Sequence, residues 1–283
     1  MRSFLGLVLL SLLSTWTWSN SFVVSTQPIF LIAKEITKGV ETPELLLSQQ
    51  SGHDVQVTPA HRQQIQQAEL IIWIGEQHEA PLKRMLAGHS HAFSLLKIGI
   101  LKTLPLRDPR GQAIANSVDA HIWLEPNNAV RIGFFIAALR AQQHPEHKDA
   151  YWANAKQFAN QMLQAAQSYE SGTTARPYWA YHDAYQYLER ALNLNFAGAL
   201  TDDPHMAPTV AQMKYLNDER PKSNMCLLAE GHAQPSHYRS LQPVVFESVD
   251  ESMADETNFV QAWLNLAKKV NKCVLLKAQI DRN

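Results

Sequence analysis

The stretch "PEHKDAYWANAKQFANQMLQAAQSYES", from Pro145 to Ser171, contains no glycine and no proline after its first residue. Its apolar positions Trp152, Ala155, Phe158, Met162, Ala165 and Tyr169 recur at steps of three and four, the repeat of one helical face. The spacing predicts one long amphipathic helix, roughly 40 Å from end to end at 1.5 Å per residue, stopped by Gly172. Whatever this chain folds into must accommodate a rod of that length near its middle.

On both sides of the rod the pattern is different. Before it, "FVVSTQ" reads as a strand, Pro28 to Lys38 as a helix and "ETPELLL" as a second strand. Thr58 then caps a helix with Pro59 at its first position, where the missing proline N–H costs nothing. "ELIIWIG" is a continuous apolar run of strand length, suited to a sheet covered on both faces. After the rod the same rhythm restarts: "YWAYH", "LNFAGAL", "NMCLLAE" and "PVVFESV" read as strands, with helices over 183–192, 207–219 and 256–271. Alternating strands and helices mean parallel α/β layers. The expected fold class is therefore α/β: two lobes with parallel sheets flanked by helices, spanning 22–144 and 173–283, joined by a long rigid linker helix over 145–172.

Composition narrows the partners. With 18% charged residues and a formal net charge of −1, the chain has no electrostatic case for nucleic acid or an acidic membrane surface. At the N-terminus Arg2 precedes the apolar "FLGLVLLSLLSTWTW", and Ser19 and Ser21 are small residues suited to cleavage before Phe22. Residues 1–21 thus read as a secretory signal, with an uncleaved anchor helix as the alternative. No cysteine lies at that junction to carry a lipid. The two cysteines, Cys226 and Cys273, lie far downstream, and in an exported chain they point to a bridge rather than to two buried thiols. Closing that loop would remove chain entropy worth roughly 4 kcal/mol.

Of the twelve histidines, most look like surface residues: His61 on a helix face, His144 and His147 at the start of the rod, His89 and His91 in "AGHSHAF". Three others stand at strand ends or on tight loops, where open α/β sheets place their ligands. His53 follows Gly52 after the second strand, His121 sits in "VDAHIWLEP" before a proline-marked turn, and His182 ends "YWAYH" and opens a helix. A helix N-terminus disfavours imidazolium, and neutral imidazole is the metal-binding form. Each residue alone is more often structural, three at equivalent positions across two lobes are harder to dismiss, and their wide separation lacks the short intervals of zinc fingers or HExxH enzymes.

The segments "SGHDVQVTPAHRQQIQQAELIIWIG", "DAHIWLEPNNA" and "YHDAYQYLE" resemble the signature blocks of the metal-binding proteins of ABC importers, and most of all the ZnuA-like zinc-binding subgroup. The resemblance runs from Phe22 to the last helix. It implies two α/β lobes linked by a long helix with one metal ion in the cleft. Block by block, His53, His121 and His182 match the family's zinc-binding histidines. Asp250, in "ESVDES", matches an aspartate that completes or supports the shell; its other reading is a helix cap, and water is another candidate for the fourth position. Cys226 and Cys273 match the subgroup's paired cysteines. Three nitrogen donors suit Zn2+ better than the harder Mn2+.

The chain also departs from the pattern. The His-rich loop that many members carry before the second block is reduced here to His78, His89 and His91, and "AEGHAQP" brings in His232 as a possible accessory ligand. The reading is a monomeric periplasmic zinc receptor that docks on the membrane permease of an ABC importer, with metal affinity falling below about pH 6 as imidazoles protonate and with modest closure of the lobes. Trp73, Trp123 and Tyr185 are candidate cleft walls. A manganese receptor or zinc chaperone of the same fold is the near alternative. The distant one is a zinc hydrolase using Asp54, Asp183 or Glu230 as base.

Overall fold

A computed structural model describes residues 21–47, 56–169, 174–230 and 233–280. The first 20 residues, the loop with His53 and Asp54, and His232 lie outside the described residues. Two four-stranded sheets, every pairing in them parallel, share a central core with a pair of long helices.

The first sheet contains β1 (Ser21–Val24), β2 (Glu44–Leu45), β3 (Ala68–Trp73) and β4 (Ala92–Ser94) in the order β2-β1-β3-β4. Its helices are α1 (Gln27–Ile36), α2 (Pro59–Gln67) and α3 (Ala80–Leu86). The second sheet repeats the scheme with β5 (Arg176–Ala180), β6 (Leu194–Ala199), β7 (Met225–Ala229) and β8 (Val244–Ser248), ordered β6-β5-β7-β8. In both, the strand order reverses next to the first strand, so a crevice opens at the carboxyl ends of β1 and β3 and of β5 and β7.

Continuous apolar strands arise because both faces are covered. Leu70 and Ile72 of β3 pack into a central core, while Ile71 and Trp73 pack into a separate outer one with Leu82 and Leu86 of α3. In the second sheet, Tyr178 and Cys226 face the central core while Trp179 and Leu227 face outward. That central core is shared: the inner faces of both sheets enclose Ile32 of α1, Phe158 and Met162 of the rod, and Trp263 near the C-terminus.

The rod is shorter than its sequence pattern predicts. Pro145–His147 form a 3-10 turn, and the α-helix α5 runs over Lys148–Gln167, about 30 Å. Pro126 marks not merely a turn but the first residue of an 18-residue helix, α4 (Pro126–Gln143), capped by Glu125, whose carboxylate accepts from the Asn128 N–H at 2.6 Å. A short connection folds α4 back along α5. Gly133 allows the approach: a Cβ there would sit 3.1 Å from Phe158 and 3.2 Å from Ile36. The helix expected over 183–192 is a 3-10 turn at Gln186–Leu188 followed by the single turn α6 (Glu189–Leu192). Beyond α7 (Val210–Asp218), the closing helix α8 covers Phe259–Ile280. The Cys226–Cys273 disulfide, with Cα atoms 5.5 Å apart, staples α8 to β7. No helix among the described residues is long and apolar enough to cross a membrane.

Between the two halves runs a strap. After the 3-10 turn Leu95–Lys97, the chain leaves the first sheet and forms a small hairpin in which Arg107 bridges to Ala113. The hairpin lies on the second lobe. Arg107 pairs with Asp183 through Nε at 2.7 Å and with Glu189 at 2.6 Å, while its guanidinium covers the Phe196 ring. The Pro109 carbonyl accepts from the Ala199 N–H at 2.9 Å, and the Tyr187 hydroxyl accepts from the Leu104 N–H and donates to the Asp119 carbonyl.

Candidate metal centre

The strap delivers His121 to the middle of the molecule. Asp119, itself buried, accepts from the His121 backbone N–H at 3.0 Å and holds ring Nδ1 at 2.7 Å. With Nδ1–H committed to that carboxylate, the neutral tautomer carries its lone pair on Nε2, the usual way a carboxylate orients a metal-binding imidazole. His182 stands on the bend that follows β5, with Nδ1 3.3 Å from the Glu230 carboxylate at the end of β7. Glu251 follows β8. One donor atom each from His121, His182 and Glu251 lie within 4.8 Å of one another, and all three residues are buried. The two imidazole rings are 5.8 Å apart, centre to centre.

Aromatic donors set the position of Glu251. The Tyr185 hydroxyl donates to the Val249 carbonyl, and the Trp123 indole N–H donates to the Glu251 carbonyl, both at 2.9 Å. Trp263 in turn donates to the Leu124 carbonyl at 3.0 Å, fixing the segment that bears Trp123. Trp123 also packs against His121, its ring centre 5.4 Å away. Trp73, read as a cleft wall, instead faces the outer core of the first lobe, because its side chain points to the opposite face of β3 from Ile72.

Asp250 is exposed, and its carboxylate accepts from the backbone N–H groups of Ser252 and Ala254, each at 2.9 Å. It closes a turn, and it is Glu251, one residue on, that faces the histidines. No helix N-terminus abuts His182, since the first helical turn after it begins at Gln186. Its electrostatic neighbour is the Glu230 carboxylate.

That environment is strongly acidic. Burial alone would depress the His121 imidazole, but Asp119 outweighs it and the net direction is upward. Burial pushes the Glu251 carboxyl well above the usual carboxylate range, and the facing Glu230 pushes the same way. Burial likewise raises Asp183, opposed by its pair with Arg107. Shielded carboxylates around two imidazoles are costly to ionise, and a divalent cation would offset that cost.

Of the sites read from the sequence, His121 and His182 come together, Asp250 stands apart, and His53 and His232 lie outside the described residues. Glu251 and Asp119 were not singled out. The acidic "ESVDES" signalled a carboxylate there, but not which of the adjacent pair.

Two parallel sheets facing a buried imidazole–carboxylate cluster define the class: a two-lobed metal-binding protein. Over residues 22–273 the chain matches the family described as ZnuA, zinc-uptake complex component A, periplasmic. It is 28% identical to the high-affinity zinc uptake system protein ZnuA of Haemophilus ducreyi, covering 82% of this chain and 84% of that one. Against the protein of the same name from Yersinia pestis it is 25% identical, with 77% of each covered. Among solved structures, the laminin-binding adhesin Lmb of Streptococcus agalactiae superposes with a TM-score of 0.74 at 19% identity, over 90% of this chain and 99% of that one. Zn(II)-bound AdcA of Streptococcus pneumoniae superposes with a TM-score of 0.71 at 16% identity, over 90% of this chain and 57% of that one. The chain belongs to the ZnuA family, and zinc is its cargo.

Proposed function

We propose that this protein captures one Zn2+ between its lobes through Nε2 of His121, Nε2 of His182 and a carboxylate oxygen of Glu251, and delivers it to the membrane permease of an ABC importer. His53 is carried over by resemblance as a further donor from the first lobe. The chain acts as a monomer in the periplasm, with residues 1–21 as the export signal. The observation that carries this reading is the convergence of three buried donor atoms within 4.8 Å, on segments leaving both halves of the chain. Tetrahedral zinc with bonds of about 2.0–2.1 Å wants its donors roughly 3.3 Å apart, so side-chain adjustments of about 1 Å suffice and the lobes need move little. Imidazole nitrogens favour zinc over manganese.

A receptor is favoured over a hydrolase by what surrounds the centre. Asp183 is engaged by Arg107, and Glu230 lies against the distal nitrogen of His182, so neither is placed as a base beside a metal-bound water. The deciding measurement is metal content by mass spectrometry after purification without chelator, on the native protein and on His182→Ala. One zinc per native chain, with loss of tight binding in the variant, is the expected result. Native protein that takes up no zinc at neutral pH would overturn the reading.

A further inference from the structure

We propose that His78, outside both the histidines matched to the family's zinc ligands and the donor trio, is also a zinc ligand of this chain, gripping the ion together with His121 from the first-lobe side. The inference rests on the interlobe zinc reading above and adds a residue and a role to it.

His78 stands on the turn that leaves β3 at the crevice of the first sheet. The turn is built rigidly. The His78 and Glu79 N–H groups both donate to the Gly75 carbonyl, at 3.0 and 2.9 Å. The buried Glu79 carboxylate ties down the backbone by accepting from the N–H groups of Gly75 and Ile74 and from the Ser25 hydroxyl. Gly75 is at φ +154°, and a Cβ there would crowd Leu96 and Ser94 at 3.0 Å. The side chain this turn presents is 8% exposed, with its ring edge-on to His121 at 6.1 Å and to Trp123 at 5.3 Å.

His121 therefore has an imidazole neighbour in two directions, His182 at 5.8 Å and His78 at 6.1 Å. Two imidazoles sharing a tetrahedral ion with bonds of about 2.0–2.1 Å place their ring centres roughly 5–5.5 Å apart. Both pairs lie within about 1 Å of this spacing, so with a small closing of the rings an ion on His121 can be held toward the second lobe by His182 and Glu251 or toward the first by His78. A ligand exchange about a fixed His121 gives the ion a route through the site without parting the lobes.

The test uses the full mature chain with His78→Gln and, as a second variant, His78→Phe, each checked for native melting. Zinc affinity is measured by chelator competition and zinc release by stopped flow. Cobalt absorption and zinc X-ray absorption report the number of imidazoles. Affinity should weaken by about tenfold or more, since even partners that merely orient a ligand act on that scale. Release should change by a similar factor, and the cobalt spectrum should alter. Unchanged affinity, release and spectra in a folded variant would overturn the proposal. His121→Ala and the native protein separate the two readings: if the native chain binds no zinc the whole centre fails, whereas native binding with silent His78 variants removes only this ligand.

Discussion

At the scale of single residues, the centre turns on which of two adjacent carboxylates leaves β8 toward the histidines. Asp250 is spent on the backbone N–H groups of Ser252 and Ala254, while Glu251 is buried with its carbonyl held by Trp123. Glu251→Gln should therefore weaken zinc binding by about tenfold to a hundredfold, the range over which metal-site residues and their supports act. Asp250→Asn should leave affinity within about twofold while loosening the turn. Chelator competition on the two variants side by side checks the assignment; equal losses would contradict it. Sequence alone could not make this choice, because the direction of each side chain is set by the register in which the strand ends. His182 was legible because it occupies a strand exit, and His121 because it precedes a proline-marked turn. Glu251 was hidden behind an equally acidic neighbour, and His78 because no short interval links it to another histidine.

At the scale of elements, the site is held by aromatic donors reaching across segments. Tyr185→Phe keeps the buried ring but strands the Val249 carbonyl. It should cost about 1–3 kcal/mol of stability and, by loosening the stretch leading to Glu251, weaken zinc binding severalfold. Thermal melting and zinc titration on the same sample check both effects, and a stable variant with native affinity would contradict the argument. The strands were readable because runs such as "ELIIWIG" are buried on both faces, and the repeat of α5 because one side of it meets the core. α4 was not anticipated. Its sequence "PNNAVRIGFFIAALRAQQ" is contacted on several sides by α1, α5 and the sheet, so its apolar residues form no single stripe. The three residues of β4 and the two of β2 are likewise too few to carry an alternation.

At the scale of the whole molecule, the two sheets share one central core, and the strap crosses from one half to the other. Arg107 is the rivet: its pairs with Asp183 and Glu189 are mostly shielded from water. Arg107→Ala leaves two buried carboxylates without their cation and should cost about 3 kcal/mol, read as a lower melting midpoint. Because Asp183 follows His182 directly, the same variant should also release zinc faster. A large drop in melting midpoint with unaltered release would show that the strap is only structural. The shared core was not legible, because apolar periodicity tells which face of an element is buried but not which neighbour buries it.

The strap has a consequence for how cargo leaves. A vessel whose lid is stitched to its base is emptied by undoing a seam, not by lifting the lid. Here the seam is a guanidinium seated between Asp183 and Glu189, and Asp183 is one residue along the chain from the His182 imidazole. Loss of the grip of Arg107 on Asp183 would slacken that imidazole in the same movement.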